Sequence, residues 1–323
     1  VNKTVKLFIV LLYIIVSISH AIVLHTGDDN DFTPRPSNAY AAKVGSASGV
    51  VVGSNWVLTA KHVSTNSSTP IVVDGSTYYQ SSRINHPNND FALLKFTNAD
   101  FINFASILSD PIAELADEDE GTWPEVVLGG YGYGRGSDIN SIYTPKVVVG
   151  YNWSGAGTLR WGTTLISGVS GAMGIPGPGI YTNFRSPLHE DVTEHECDVA
   201  GWDSGSGMYY YVDDVWKVVA ITSQHVGGEY ARFQSSSIEY NDVGWDFSTM
   251  GLYISLDYYG AWVKTYIWGP DFNEDNKCDG TDFALFANEW GDTNTSYTLR
   301  ADLNRDGYVD YKDLKILVDS WLK

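Results

Sequence analysis

The chain has 323 residues, 32 of them glycine, an aromatic content of 14% and a formal net charge of −19. That length accommodates one large domain and one small one. The acidic balance argues against a nucleic-acid partner, and short Val/Ile/Tyr runs broken by glycines favour a mainly β architecture.

In chain order, residues 1–21 read as a secretory signal peptide, with Lys3 and Lys6 ahead of an uncharged apolar run over 7–18 and small residues Ser19 and Ala21 at the cleavage positions. The run is short for a membrane span. The expectation is therefore a secreted, extracellular protein, or one held at the cell surface through a scaffold, with no stable membrane insertion after cleavage. The apolar stretch GVVVGSNWVLTA (49–60) predicts two strands around the turn GSN, ending next to His62. FALLKF, directly after Asp90, predicts another buried strand, and GGYGYGRG (129–136) reads as a turn between two barrels. LHEDVTEHEC (188–197) gathers His, Glu and Cys, but at a spacing that fits no familiar metal site, and reads as a solvated loop. MYYYVDDVWKVVAITS (208–223) predicts a hairpin. The segment 254–267 predicts a helix on which Tyr258, Trp262 and Ile267 share a face. The two cysteines, Cys197 and Cys278, fall in different predicted domains and read as unpaired thiols.

Three of these stretches carry chemistry together. A serine hydroxyl becomes a nucleophile when an imidazole takes its proton, and the imidazole needs a carboxylate to fix its tautomer and stabilise its cation. VLTAKH ending at His62, NHPNND ending at Asp90 and GWDSGSG carrying Ser204 provide that set in the order His, Asp, Ser. With those flanking strands, residues 22–267 resemble the trypsin/chymotrypsin family of serine peptidases. The resemblance implies two six-stranded antiparallel β-barrels with a C-terminal helix. It also implies hydrolysis of protein or peptide substrates through an acyl-enzyme on Ser204, with no cofactor for catalysis.

Further roles follow from the resemblance alone. Ser223 supports the Asp90 carboxylate, and the N–H groups of Trp202 and Ser204 form the oxyanion hole. Trp202 stands where the family has glycine, which leaves a second function open, a catalytically inactive protease-like binding module. Asp198, six residues before Ser204, takes the position whose carboxylate confers preference for Arg or Lys, although Gln224 and His225 replace the usual aromatic residue and glycine on the wall. Removal of the signal would leave Ile22 as a new N-terminus, the kind whose ammonium inserts beside Asp203 in active family members.

The C-terminal segment 268–323 contains an internal repeat: residues 271–290 align without gaps to 302–321. Oxygen-bearing side chains recur at loop positions 1, 3, 5, 9 and 12, as Asp271, Asn273, Asp275, Asp279 and Asp282, then as Asp302, Asn304, Asp306, Asp310 and Asp313. That spacing wraps a hard cation, with the carbonyls of Lys277 and Tyr308 at position 7 as further ligands. Asn276 and Gly307 at position 6 tolerate a left-handed turn. Each loop runs into an amphipathic helix. The repeat resembles a type I dockerin, which implies a small helical module, two Ca2+ ions and a cohesin-bearing scaffold protein as partner.

Overall fold

The computed structural model of the protein describes residues 22–25, 32–108, 112, 123–141, 146–170, 178–234, 248–275, 277–293 and 299–321. The proposed signal segment 1–21 lies outside the described residues, as does Asn276. No helix among the described residues is long and apolar enough to cross a membrane.

The first half is one seven-stranded antiparallel sheet, in the order Ser76–Tyr78, Ile71–Val73, Ala41–Val44, Ala47–Gly53, Trp56–Ala60, Phe91–Lys95, Ser82–Asn85. The predicted pair around GSN is present as Ala47–Gly53 and Trp56–Ala60, with Val50 opposite Leu58. These strands are buried along their whole length, so they read as continuous apolar runs rather than alternating ones. The second half is a closed barrel. Strands Gly207–Val212, Glu125–Gly130, Arg160–Ser170, Gly179–Asn183, Met250–Ser255 and Val215–Val226 pair in that order, and the last pairs back with the first. The protein is therefore mainly β and trypsin-like, with one closed six-stranded barrel and a half-barrel in place of two closed barrels.

The predicted hairpin spans Gly207–Val212 and Val215–Val226, turned by Asp213 and Asp214 at φ 53° and 61°. Both turn residues are left-handed, as a tight hairpin whose twist matches its strands requires. GGYGYGRG is not a turn between barrels: it is the end of Glu125–Gly130, a two-residue turn and the start of strand Tyr133–Asn140. That strand pairs with Val148–Ala156, and Tyr230–Arg232 completes a small third sheet.

The halves share one core. Val50, Leu58, Phe91 and Leu93 pack with Val127, Trp161, Tyr209, Ile221 and Ile254, and the helix Leu256–Ile267 adds Leu256, Tyr259, Trp262 and Val263. Full burial of each such side chain contributes roughly 1.5–3 kcal/mol. The buried stripe of the helix is thus 256, 259, 260 and 263 with Trp262, whereas Tyr258, expected on that face, is 37% exposed. A period of 3.6 places 256, 259, 260 and 263 on one side and turns Tyr258 outward.

The C-terminal region forms two helices, Gly280–Asn288 and Tyr311–Asp319, around a small core of Phe286, Ala301, Leu303, Val309 and Leu317. Each helix opens with the same capping box, Asp279 with Asp282 and Asp310 with Asp313. Cys197 and Cys278 are buried free thiols.

Candidate active site

His62 follows strand Trp56–Ala60 across the seam between the halves, and Asp90 precedes Phe91–Lys95, the strand paired with it. The backbone N–H of His62 donates to Asp90 Oδ1 at 2.9 Å, while His62 Nδ1 lies 2.7 Å from Asp90 Oδ2. A carboxylate accepts, so Nδ1 carries the proton and Nε2 is left as the acceptor. Ser204 Oγ stands 2.8 Å from that Nε2. Ser223 Oγ donates to Asp90 Oδ2 at 2.7 Å. Burial pushes the Asp90 carboxyl up, but the hydrogen bonds from His62 and Ser223 outweigh it and the net shift is downward. A hydroxyl so placed can attack an acyl carbon as the imidazole takes its proton.

Two residues that sequence reasoning missed hold this relay. Arg83 donates through Nη1 to the Val63 carbonyl and through Nη2 to the Lys61 carbonyl, each at 2.7 Å, bracing both sides of His62. His86 stacks on Phe91 at 4.4 Å, meets Trp262 edge-on at 5.0 Å and accepts the Asn89 N–H at 3.0 Å. Burial lowers its pKa to about 4, so it is a neutral wedge that ties the turn carrying Asp90 to the C-terminal helix. Arg83 lies outside the stretches that carry the triad, and His86, though inside NHPNND, shows its role only through its contacts with Phe91 and Trp262.

Ser204 sits in a turn pressed against the first half-barrel. A Cβ on Gly205, at φ +84°, would lie 2.4 Å from Thr59 Oγ1 and 2.5 Å from the Ser48 carbonyl, so only glycine allows this approach. The Ser48 N–H donates to the Ser204 carbonyl at 3.1 Å. Among the described residues, the N–H groups of Trp202 and Ser204 donate to no backbone carbonyl, which leaves both free for an oxyanion. Trp202 has φ 72° and its side chain is 47% exposed. The backbone there takes the conformation that glycine adopts freely, and a bulky residue in it costs about 1–3 kcal/mol.

Asp203 is fully buried and accepts the N–H of Gly132 at 2.7 Å, that of Ala200 at 3.0 Å, and that of Ile22. A Cβ on Gly132 would lie 2.6 Å from the Asp203 carboxyl carbon, which explains a glycine within GGYGYGRG. Burial raises the Asp203 pKa to about 7 against the pull of those amides. Ile22 is held there because Val23 and Leu24 pair with Asp198 and Cys197 in a short antiparallel ladder.

Asp198 does not line an open slot. Its side chain is 1% exposed, its Oδ2 accepts Thr249 Oγ1 at 2.5 Å, and His225 Nε2 lies 3.2 Å away. The segment 188–197 is not simply a solvated loop either. Glu196 is fully buried, accepts the Thr193 and Arg185 amides, and is pushed up by burial to about 7.

Residues 30–150 match the trypsin family, a span that includes His62 and Asp90 and stops short of Ser204, and residues 270–319 match the type I dockerin domain. The two matches support a trypsin-like serine peptidase domain followed by a C-terminal dockerin. No curated protein matches the chain.

In the dockerin, the two loops have the same build. Asp271 Oδ1 accepts the Asp275 N–H and Asp302 Oδ1 the Asp306 N–H, both at 3.1 Å. Asp282 and Asp313, fully buried, each accept two or more backbone amides. Position 4 is left-handed in both loops, Glu274 at φ 64° and Arg305 at 62°, and Gly307 at position 6 has φ 88°. Among the described residues no three acidic, His or Cys side chains converge on a ready-made cation position. The donor set nevertheless fits Ca2+, because the side chains at positions 1, 3, 5, 9 and 12 are all oxygen donors and four of the carboxylates are at least nine-tenths buried. The pKa of Asp302 is pushed up by burial, and the nearby charge of Asp313 adds to it, as in a site that gathers negative charge for a cation.

Proposed function

We propose that the protein is a serine endopeptidase that cleaves peptide bonds through an acyl-enzyme at Ser204 and is delivered to a cohesin-bearing extracellular complex by its dockerin. The observation that carries this reading is the continuous relay from Ser223 through Asp90 and His62 to Ser204, with every link at 2.7–2.8 Å. In it, Ser204 attacks the scissile carbonyl, His62 takes the hydroxyl proton and returns it to the leaving amine, and Asp90 stabilises the imidazolium. The N–H groups of Trp202 and Ser204 receive the oxyanion. The peptidase domain covers 22–267 and the dockerin 268–323, where the side chains at the five loop positions and the carbonyls of Lys277 and Tyr308 would hold two Ca2+ ions. Calcium would supply the positive charge that lets the acidic loops fold closely together.

Ile22 serves as the activating N-terminus in this reading. Its N–H already donates to Asp203, so cleavage after Ala21 would replace an amide by an ammonium at the same carboxylate.

A second reading, a protease-like binding module without activity, draws on the Trp202 φ of 72°. Relaxation of that peptide would turn one oxyanion donor away, and loss of one donor costs about 10²–10³ in rate. An active-site-directed fluorophosphonate separates the two. Covalent labelling of the wild type that disappears in Ser204→Ala supports the peptidase, and folded wild type that takes no label supports the module.

A further inference from the structure

On the peptidase reading, Asp198 stands at the base of the pocket that would receive the substrate side chain preceding the scissile bond, yet its Oδ2 is already hydrogen-bonded within the protein. His225 Nε2 sits 3.2 Å from Asp198 Oδ2, and the two side chains are 6% and 1% exposed. Thr249 Oγ1 donates to the same oxygen at 2.5 Å. The Trp153 ring also packs on the imidazole, meeting it edge-on at 5.0 Å with an interplanar angle of 67°. The register of the barrel fixes the arrangement: after the bulge between Thr222 and Gln224, His225 pairs with Gly251, the residue that follows Met250 at the start of its strand. His225 therefore covers the Asp198 carboxylate, and the two are buried together.

The remaining polar atoms point the same way. Asp198 Oδ1, His225 Nδ1 and Trp153 Nε1 are buried and lack a hydrogen-bond partner among the described residues. A large apolar side chain forced onto these atoms would leave all three unsatisfied, which is costly. An Arg or Lys side chain would have to displace His225 and break a buried, hydrogen-bonded pair before reaching the carboxylate. A short side chain needs neither.

We propose that His225 is the specificity-determining residue of this site: it fills the slot and covers the Asp198 carboxylate, so the site accepts a small uncharged side chain (Ala, Ser, Thr or Val) before the scissile bond and refuses Arg and Lys. The proposal rests on the peptidase reading for its meaning, but its test does not need turnover. Benzamidine, an aromatic amidine that would reach a free carboxylate at the base of such a slot, is titrated calorimetrically into the full chain. Wild type shows no binding tighter than about 1 mM. His225→Gly, which opens the slot, gains at least tenfold in benzamidine affinity, and Asp198→Ala/His225→Gly loses that gain.

A peptide panel varied only at the residue before the scissile bond then shows kcat/KM for Ala at least tenfold above Arg in wild type, reversed in His225→Gly. Benzamidine bound by wild type at micromolar concentration overturns the proposal, as does a folded His225→Gly that gains nothing. Should that variant not fold, His225→Ser replaces it, and the wild-type titration decides by itself. If Ser204 takes no fluorophosphonate, the peptidase reading falls while the amidine titration still tests the slot.

Discussion

Ser223 and His62 share one oxygen: both are 2.7 Å from Asp90 Oδ2, while the other carboxylate oxygen receives the His62 backbone N–H. The carboxylate is thus fixed from three directions, and the imidazole cannot rotate without breaking its bonds to Asp90 Oδ2 and Ser204 Oγ. Removing the Ser223 hydroxyl leaves the relay in place but loosens its anchor. Ser223→Ala should lose about tenfold in kcat, the worth of one hydrogen bond to a charged group, with KM little changed. Asp90→Asn, which favours the wrong imidazole tautomer, should lose about 10⁴. Steady-state rates on one peptide substrate check both, and equal losses would show that Ser223 does more than position Asp90.

Trp202→Gly should raise stability and activity together. The side chain is half exposed and the backbone is at φ 72°, so the substitution relieves strain of about 1–3 kcal/mol and sacrifices little burial. The measurements are a urea midpoint and kcat. A lower kcat in a more stable protein would mean that the indole itself contacts substrate.

The pH dependence of stability should differ between a chain that begins at Ile22 and one extended by a single residue. In the extended chain Asp203 has its pKa raised to about 7 by burial. A raised folded-state pKa contributes stability that is full below the unfolded value, near 4, and is lost as pH rises through the folded one. An ammonium at Ile22 lowers the Asp203 pKa and removes that loss. Glu196, also raised to about 7, contributes the same slope to both chains. Urea unfolding should give similar stabilities at pH 4 and a clear advantage for the Ile22 start near pH 7. Parallel curves would refute the Ile22–Asp203 contact as an activating one.

Chelation of calcium should unfold the dockerin and leave the β-rich part folded. The module has a small core, and acidic loops without a cation repel. Calorimetry should show a low-temperature transition that rises with calcium and disappears in chelator. Asp282→Ala or Asp313→Ala should remove calcium binding from one loop only.

How far these features were legible depended on whether their cause is local. His62, Asp90 and Ser204 each lie in a short motif beside a recognisable strand, and the dockerin repeat shows itself by spacing. Arg83 acts on Lys61 and Val63, brought close only by the sheet, while His86 and Gly132 stand inside NHPNND and GGYGYGRG but make contacts with Trp262 and Asp203 that those stretches do not announce. Asp198 and His225 are assigned to one pocket by the resemblance, but their direct contact at 3.2 Å is a relation of the folded chain that no spacing reveals. The charged neighbours of Glu196 suggest solvent, whereas Thr193 and the Arg185 amide satisfy it internally. Tyr258 lies one step around the helix from the buried Tyr259, a rotation large enough to turn a side chain out of the core.

The junction between the two modules has a consequence for reach. Helix Leu256–Ile267 is followed by only Trp268, Gly269 and Pro270 before the first acidic loop begins at Asp271. Across that junction Lys264 pairs with Glu274 at 2.7 Å, the Arg305 guanidinium lies 3.3 Å over the Tyr266 ring, and Arg300 donates to the carbonyls of Gly269 and Asp271. Glu274 and Arg305 are the same position of the two loops, so both halves of the dockerin grip one helix. A flexible tether of n residues lets its cargo sample about 5–6 Å × √n; three residues under such a clamp allow almost none. An anchored copy would hold its catalytic cleft at one bearing to the surface that carries it, and could cut only chains that pass through that arc.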